Sequence, residues 1–204
     1  MSILQLDNNL TLTLFHWGSR NSIWEWVSFV ASTVFVYGVP IVLVVMFFKG
    51  AKERLVSTKL LLLVLISWRV VSSYVGTFFY TQFAFRDRPF SLSGKPEFFF
   101  EQPTKAFPSD HATLLAAITL GFFAYRYPKL GRLFLVGTVI TSVGRVLIGF
   151  HYVGDILAGW LLGAATFGLF ILFDKPVTVL IKKLYKLVRW PIDGVESLPA
   201  KPSQ

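Results

Sequence analysis

Six residues of this 204-residue chain have the types and spacing to do chemistry together: Arg88, Ser109, His111, Arg145, His151 and Asp155. A phosphate anion calls for planar cationic donors, and arginine provides them in bidentate form. Ser109 follows Pro108 at the start of an apolar stretch, where a helix N-terminus would present free N–H groups and a positive dipole end to an anion. Two histidines that titrate near neutrality can serve as a nucleophile and an acid. His151 and Asp155 are four residues apart. On a helix the carboxylate would share a face with the imidazole, accept its ring N–H and fix its tautomer. Gly149 and Gly154 bracket that segment and permit a tight loop.

The elements that must carry these residues are membrane helices. Hydrophobic residues make up 54% of the chain and charged residues 15%, against about 25% charged in an ordinary soluble domain. Five stretches approach the length of about 20 residues needed to span a bilayer: 23–48, 58–83, 110–125, 130–149 and 155–173. The third is short and needs a thinned bilayer or burial by its neighbours. Residues 3–17 read as an interfacial helix. The expected fold is an all-α integral membrane bundle of about five transmembrane helices. Residues 1–190 form its single domain and 191–204, with Pro191, Pro199 and Pro202, a disordered tail. The first 20 residues lack the pattern of a cleavable signal peptide, so insertion is expected to rest on the first span.

The absence of cysteine excludes disulfides and thiolate metal sites, and three histidines are too few for a rich metal cluster. Neither a metal nor a cofactor is expected. The net charge of +9 would suggest nucleic acid for a soluble protein. Here the charges lie between apolar spans, so the expected partners are membrane lipids and not nucleic acid.

Lysine and arginine counts in the connections set the orientation. Thirteen lie on one side: Lys49, Lys52, Arg54, Lys59, Arg126, Lys129, Arg132, Lys175, Lys182, Lys183, Lys186, Arg189 and Lys201. Six lie on the other: Arg20, Arg86, Arg88, Lys95, Lys105 and Arg145. The C-terminus is therefore expected in the cytoplasm. Trp17, Trp24 and Trp26 then fall at the outer interface, and Tyr125, Tyr127 and Trp190 at the inner one. All six candidate residues reach the outer face in this topology, although they played no part in choosing the spans.

The chain resembles the type 2 phosphatidic acid phosphatase superfamily, whose motifs are K-x6-R-P, P-S-G-H and S-R-x5-H-x3-D. The second reads Pro108-Ser109-Asp110-His111 here, the third Gly144-Arg145 with His151 and Asp155 at the matching spacing, and the first keeps Arg88-Pro89. The resemblance implies that His151 attacks phosphorus and forms a phosphohistidine, held and polarised by Asp155. It implies that His111 protonates the leaving oxygen, that Arg88, Arg145 and Ser109 bind phosphate oxygens, and that no metal takes part. Three positions depart from the pattern. Thr81 stands for the lysine, with Arg86 or Lys105 as alternative donors; Asp110 stands for the glycine; Gly144 stands for the serine. The aspartate form of the second motif resembles the bacterial undecaprenyl-diphosphate phosphatase branch. This implies a plasma-membrane enzyme that hydrolyses undecaprenyl diphosphate for the cell envelope. Phosphatidylglycerophosphate and lipid A 1-phosphate are alternatives within the same reaction class.

Plainer readings stand beside these. Arg88 and Arg145 could be interfacial anchors, and His111 and Asp155 helix caps. Arg69, inside the second span, is expected to be buried against other helices or a water pocket. His16 reads as an interfacial residue, and Phe98-Phe99-Phe100 as a membrane-dipping cluster or lid. Two other functions compete with the enzyme. One is a lipid transporter, motivated by Arg69; the other is an inactive lipid-phosphate binder, motivated by Thr81 and Asp110.

Overall fold

The computed structural model describes residues 2–82, 87–93 and 106–188. Helix α1 covers Ile3–Gly18, capped by Ser2, whose hydroxyl accepts from the Gln5 N–H while the Gln5 side chain accepts from the Ser2 N–H. After a short turn, α2 runs over Ser22–Lys49. At this turn the Arg20 guanidinium lies over the rings of Trp17 and Trp24, at 5.1 and 4.7 Å.

The second span is continuous from Ala51 to Gln82 but not uniform. It comprises α3 (Ala51–Leu65), a π-helical segment (Ile66–Ser72) and α4 (Ser73–Gln82). Then come α5 (Asp110–Ala124), α6 (Pro128–Leu147), α7 (Val153–Leu172) and α8 (Asp174–Leu187). Among the described residues four stretches are long and apolar enough to cross a membrane: Ser22–Lys49, Ala51–Gln82, Pro128–Leu147 and Val153–Leu172. Helix α5 is the shorter apolar fifth. Large apolar side chains such as Ile41, Val45, Leu135, Ile140, Leu161 and Leu169 are exposed on these helices. Such a surface is stable against lipid, where helices satisfy their own backbone groups. The protein is an all-α membrane bundle.

The short α5 is the bundle's central helix. Its 15 residues rise about 22 Å, less than the roughly 30 Å of a hydrocarbon core. Burial by neighbours accommodates it: Leu115, Ala117, Ile118 and Phe122 are completely buried, with Leu60, Leu63 and Phe134 packed around them. Its ends are tied to the first turn of α7 and to the start of α8. The Ser109 N–H donates to the Asp155 carbonyl at 3.2 Å, and the Tyr125 hydroxyl donates to Asp174 at 2.6 Å. Between those ties Gly159 and Gly163 bring α7 against the α5 backbone. A β-carbon at Gly163 would lie 2.3 Å from the Thr113 carbonyl oxygen, and one at Gly159 would lie 2.8 Å from that of Ser109. This small-residue spacing lets two membrane helices touch by their main chains.

Two features were not legible beforehand. Lys59, assigned to a connection, is buried within α3 and pairs with Asp174 at 2.7 Å. Residues 174–187, read only as a basic tail, form the amphipathic α8, with Thr178 and Ile181 buried on one face. Arg69 also departs from expectation: it lies exposed on the π-helical segment. Each turn of a π-helix holds an extra residue, which rotates the following residues relative to an α-helical register.

Candidate active site

The third motif sits on the turn between α6 and α7. Arg145 lies in the last turn of α6 and is 6% exposed. The chain then reverses through Gly149, whose φ of +78° favours glycine. A β-carbon there would also meet the Phe15 ring at 2.8 Å. His151 precedes α7 instead of lying on it, and Asp155 occupies the helix's first turn. The helical i,i+4 geometry is therefore not what joins them. The bend before α7 does so, leaving His151 Nδ1 3.6 Å from Asp155 Oδ2. Arg145 Nη2 stands 3.0 Å from His151 Nε2. A guanidinium only donates, so this contact makes Nε2 the acceptor and places the ring proton on Nδ1, toward the carboxylate. Nε2 thus carries the lone pair that a nucleophile requires.

The same Asp155 Oδ2 accepts from the Tyr152 N–H at 2.9 Å, closing the N-terminus of α7. The next two donors of that turn are satisfied by α1: Val153 N–H donates to Thr11 Oγ1 at 3.1 Å, and Gly154 N–H to Asp7 Oδ1 at 2.9 Å. Asp7 and Thr11 belong to the architecture of the site, yet sequence reasoning missed them. Their only signal was an acid and a threonine one turn apart, in a helix that also carries Gln5, Asn8, Asn9 and Thr13.

Arg88 is buried, and its Nη1 donates to the Phe150 carbonyl at 2.6 Å. Two further bonds fasten its segment to the same turn: Phe90 N–H to the Gly149 carbonyl at 3.1 Å, and Tyr152 hydroxyl to the Asp87 carbonyl at 2.9 Å. Tyr152 is 1% exposed, and sequence reasoning missed it as it missed Asp7 and Thr11. Ser109 is the N-cap of α5, as expected, its Oγ accepting from the Ala112 N–H at 3.5 Å. His111 follows in the first turn of α5, within electrostatic reach of Arg88, Arg145 and His151. The six candidate residues are therefore brought together on one end of the bundle.

The three departures have different structural outcomes. The Asp110 carboxylate accepts a hydrogen bond from Ser72, at the end of the π-helical segment. Gly144 faces α2, where a β-carbon would lie 2.6 Å from the Ser32 backbone nitrogen and 2.9 Å from the Ala31 carbonyl carbon. Thr81 is exposed and donates to the Phe78 carbonyl of its own helix at 2.8 Å. Arg86 and Lys105, named as substitutes for the missing lysine, lie outside the described residues, as do Phe98-Phe99-Phe100 and 191–204.

The family model of the PAP2 superfamily matches residues 60–178, a stretch that contains every one of these motifs. The chain belongs to the PAP2 superfamily. Among its relatives are an Escherichia coli (strain K12) protein named "Putative undecaprenyl-diphosphatase YbjG", 34% identical over 77 residues, and the Bacillus licheniformis "Bacitracin transport permease protein BcrC", 34% identical over 82 residues. These alignments cover 38% and 40% of this chain, and the chain spans 39% of the length of each relative. No solved structure matches it. Membership makes the protein a phosphatase-family membrane protein and gives the cluster at Arg88, Ser109, His111, Arg145, His151 and Asp155 its chemical context.

Proposed function

We propose that this PAP2 protein is a lipid phosphatase that removes the terminal phosphate of undecaprenyl diphosphate through a phosphohistidine. The observation that carries the reading is the line Arg145 Nη2–His151 Nε2–Nδ1–Asp155, with separations of 3.0 and 3.6 Å at its two ends. It presents a neutral imidazole with its lone pair held beside a cation. An incoming phosphate oxygen would take over the guanidinium and release Nε2 for attack.

In this reading Nε2 forms a bond to the terminal phosphorus while the bond to the bridging oxygen breaks. His111 gives its proton to that oxygen, and the lipid monophosphate leaves. His111 then takes a proton from water as the water attacks the phosphohistidine; the P–N bond breaks and inorganic phosphate departs. Arg88, Arg145 and the N-terminus of α5 at Ser109 balance the charge on the equatorial oxygens, and such electrostatic terms dominate phosphoryl transfer. Asp155 keeps the ring proton on Nδ1 and stabilises the imidazolium-like phosphohistidine. In this reading every role falls to the protein's own side chains and to the N-terminus of α5.

The substrate name rests on the relative named an undecaprenyl-diphosphatase and on the aspartate form of the second motif. The apolar helices and the bacterial relatives support the membrane assignment, and the loop charges favour the outer face of a bacterial plasma membrane for the site. The test is phosphate release by purified protein, with chelator present, from undecaprenyl diphosphate, phosphatidylglycerophosphate and lipid A 1-phosphate. Undecaprenyl diphosphate is expected to be preferred, and His151→Ala to abolish release. Full activity in that variant would overturn the mechanism; preference for another lipid would overturn the substrate.

A further inference from the structure

A cavity of about 740 Å³ opens beside the site, between α1 and α7, with Phe79 of α4 and Phe107 on its far side. Its wall includes Tyr152 and Asp155, so it adjoins the turn that carries His151. The rest of the lining is largely apolar, led by Leu6 and Leu10 of α1 and Leu157 of α7. Leu161, one turn further along α7, continues the Leu157 face; the two are 72% and 50% exposed. The cavity therefore runs from the turn bearing the candidate nucleophile to an exposed apolar face of α7. Its size is that of a pocket for a substantial ligand. Asp7, the acidic group that α1 contributes to the lining, is engaged by the Gly154 N–H.

We infer that this cavity receives the first part of the substrate's hydrocarbon chain, with α1 as its outer wall. The inference rests on the lipid-phosphate reading of the site. The chain enters from the bilayer past Leu161 and Leu157, and the phosphate comes to rest at His151. Helix α1, exposed on its Ile3, Leu4 and Leu6 side, is then part of the binding site. Chain length, as well as the headgroup, becomes a determinant of rate.

The experiment compares prenyl diphosphates of increasing length as substrates of the purified full chain. For wild-type protein, kcat/KM rises with length and then levels off once the cavity is filled. Leu10→Trp, which fills the cavity, is expected to lower the long-to-short ratio of kcat/KM at least tenfold. Leu169→Trp, on exposed α7 surface outside the cavity, is expected to leave that ratio unchanged. Equal ratios in both variants would overturn the inference. If Leu10→Trp fails to fold, photolabelling of unmodified protein decides: a diazirine-bearing prenyl phosphate should mark α1 peptides. Label confined to other helices would overturn the inference. Wild-type protein that hydrolyses no lipid phosphate would sink the reading of the site, and the labelling pattern would still decide the role of the cavity.

Discussion

The Asp7 carboxylate accepts a hydrogen bond from the Gly154 N–H at 2.9 Å, tying α1 to the first turn of α7 across 147 residues. That turn holds Asp155, so α1 supports the His151–Asp155 pair in space although it is distant from it in sequence. Losing a helix-capping acceptor costs about 1 kcal/mol. Asp7→Ala should therefore lower the stability by about that amount and, by loosening the turn that holds Asp155, lower kcat/KM for a lipid diphosphate. Asp7→Asn should restore most of the loss, because an amide oxygen accepts the same bond. Equal losses in the two variants would show that the charge matters and the bond does not.

Restoring the family serine should harm this protein. The β-carbon of Gly144→Ser would fall within 3 Å of the α2 backbone at Ala31 and Ser32, and main chain gives way less readily than a side-chain tip. Overpacking of this kind costs roughly 1–3 kcal/mol. A lower melting temperature in detergent is expected, and a variant as stable as wild type would show that α2 and α6 can separate freely.

The ion pair at the opposite end of the bundle makes a different prediction. Lys59 and Asp174 are buried, and Tyr125 also donates to Asp174. Removing one partner leaves an uncompensated buried charge, at a cost of about 3–5 kcal/mol. Lys59→Met should be strongly destabilised. The combination of Lys59→Met, Asp174→Leu and Tyr125→Phe should recover much of the loss, as measured by thermal unfolding. A triple variant less stable than the single one would show that the pair is more than charge compensation.

The pH–rate profile follows from the two histidine roles. On the acid side His151 gains a proton and loses its nucleophilic lone pair, which makes the acid limb. On the alkaline side His111 lacks the proton needed by the leaving oxygen, which makes the alkaline limb. A bell with both limbs within a few units of neutrality is expected. His111→Ala should lose the alkaline limb and about 10²–10⁴ in rate. A flat wild-type profile would count against both roles.

Orientation can be read directly because the chain has no cysteine. Thr81→Cys near the site and Lys183→Cys on α8 are both at exposed positions. In intact cells a membrane-impermeant maleimide should label the first and spare the second. The reverse pattern would invert the proposed topology.

The order of the spans and most of their bounds were legible in residue order, although the second begins at Ala51 and not near residue 58. Apolar length and loop charge act locally in a bilayer, and motif spacing needs no knowledge of contacts. Ser109 as the cap of α5 was legible for the same reason. The His151–Asp155 contact was expected for the wrong local cause: a bend forms it, not a helical repeat. The reach of Asp7 and Thr11 across the chain, the Lys59–Asp174 pair and the close approach of α2 to Gly144 could be decided only by the tertiary structure. Each depends on which helices touch and at what height, and periodicity carries no such information. The same holds for the proton on Nδ1 of His151, because the residue that claims Nε2 is Arg145, from the helix before the turn.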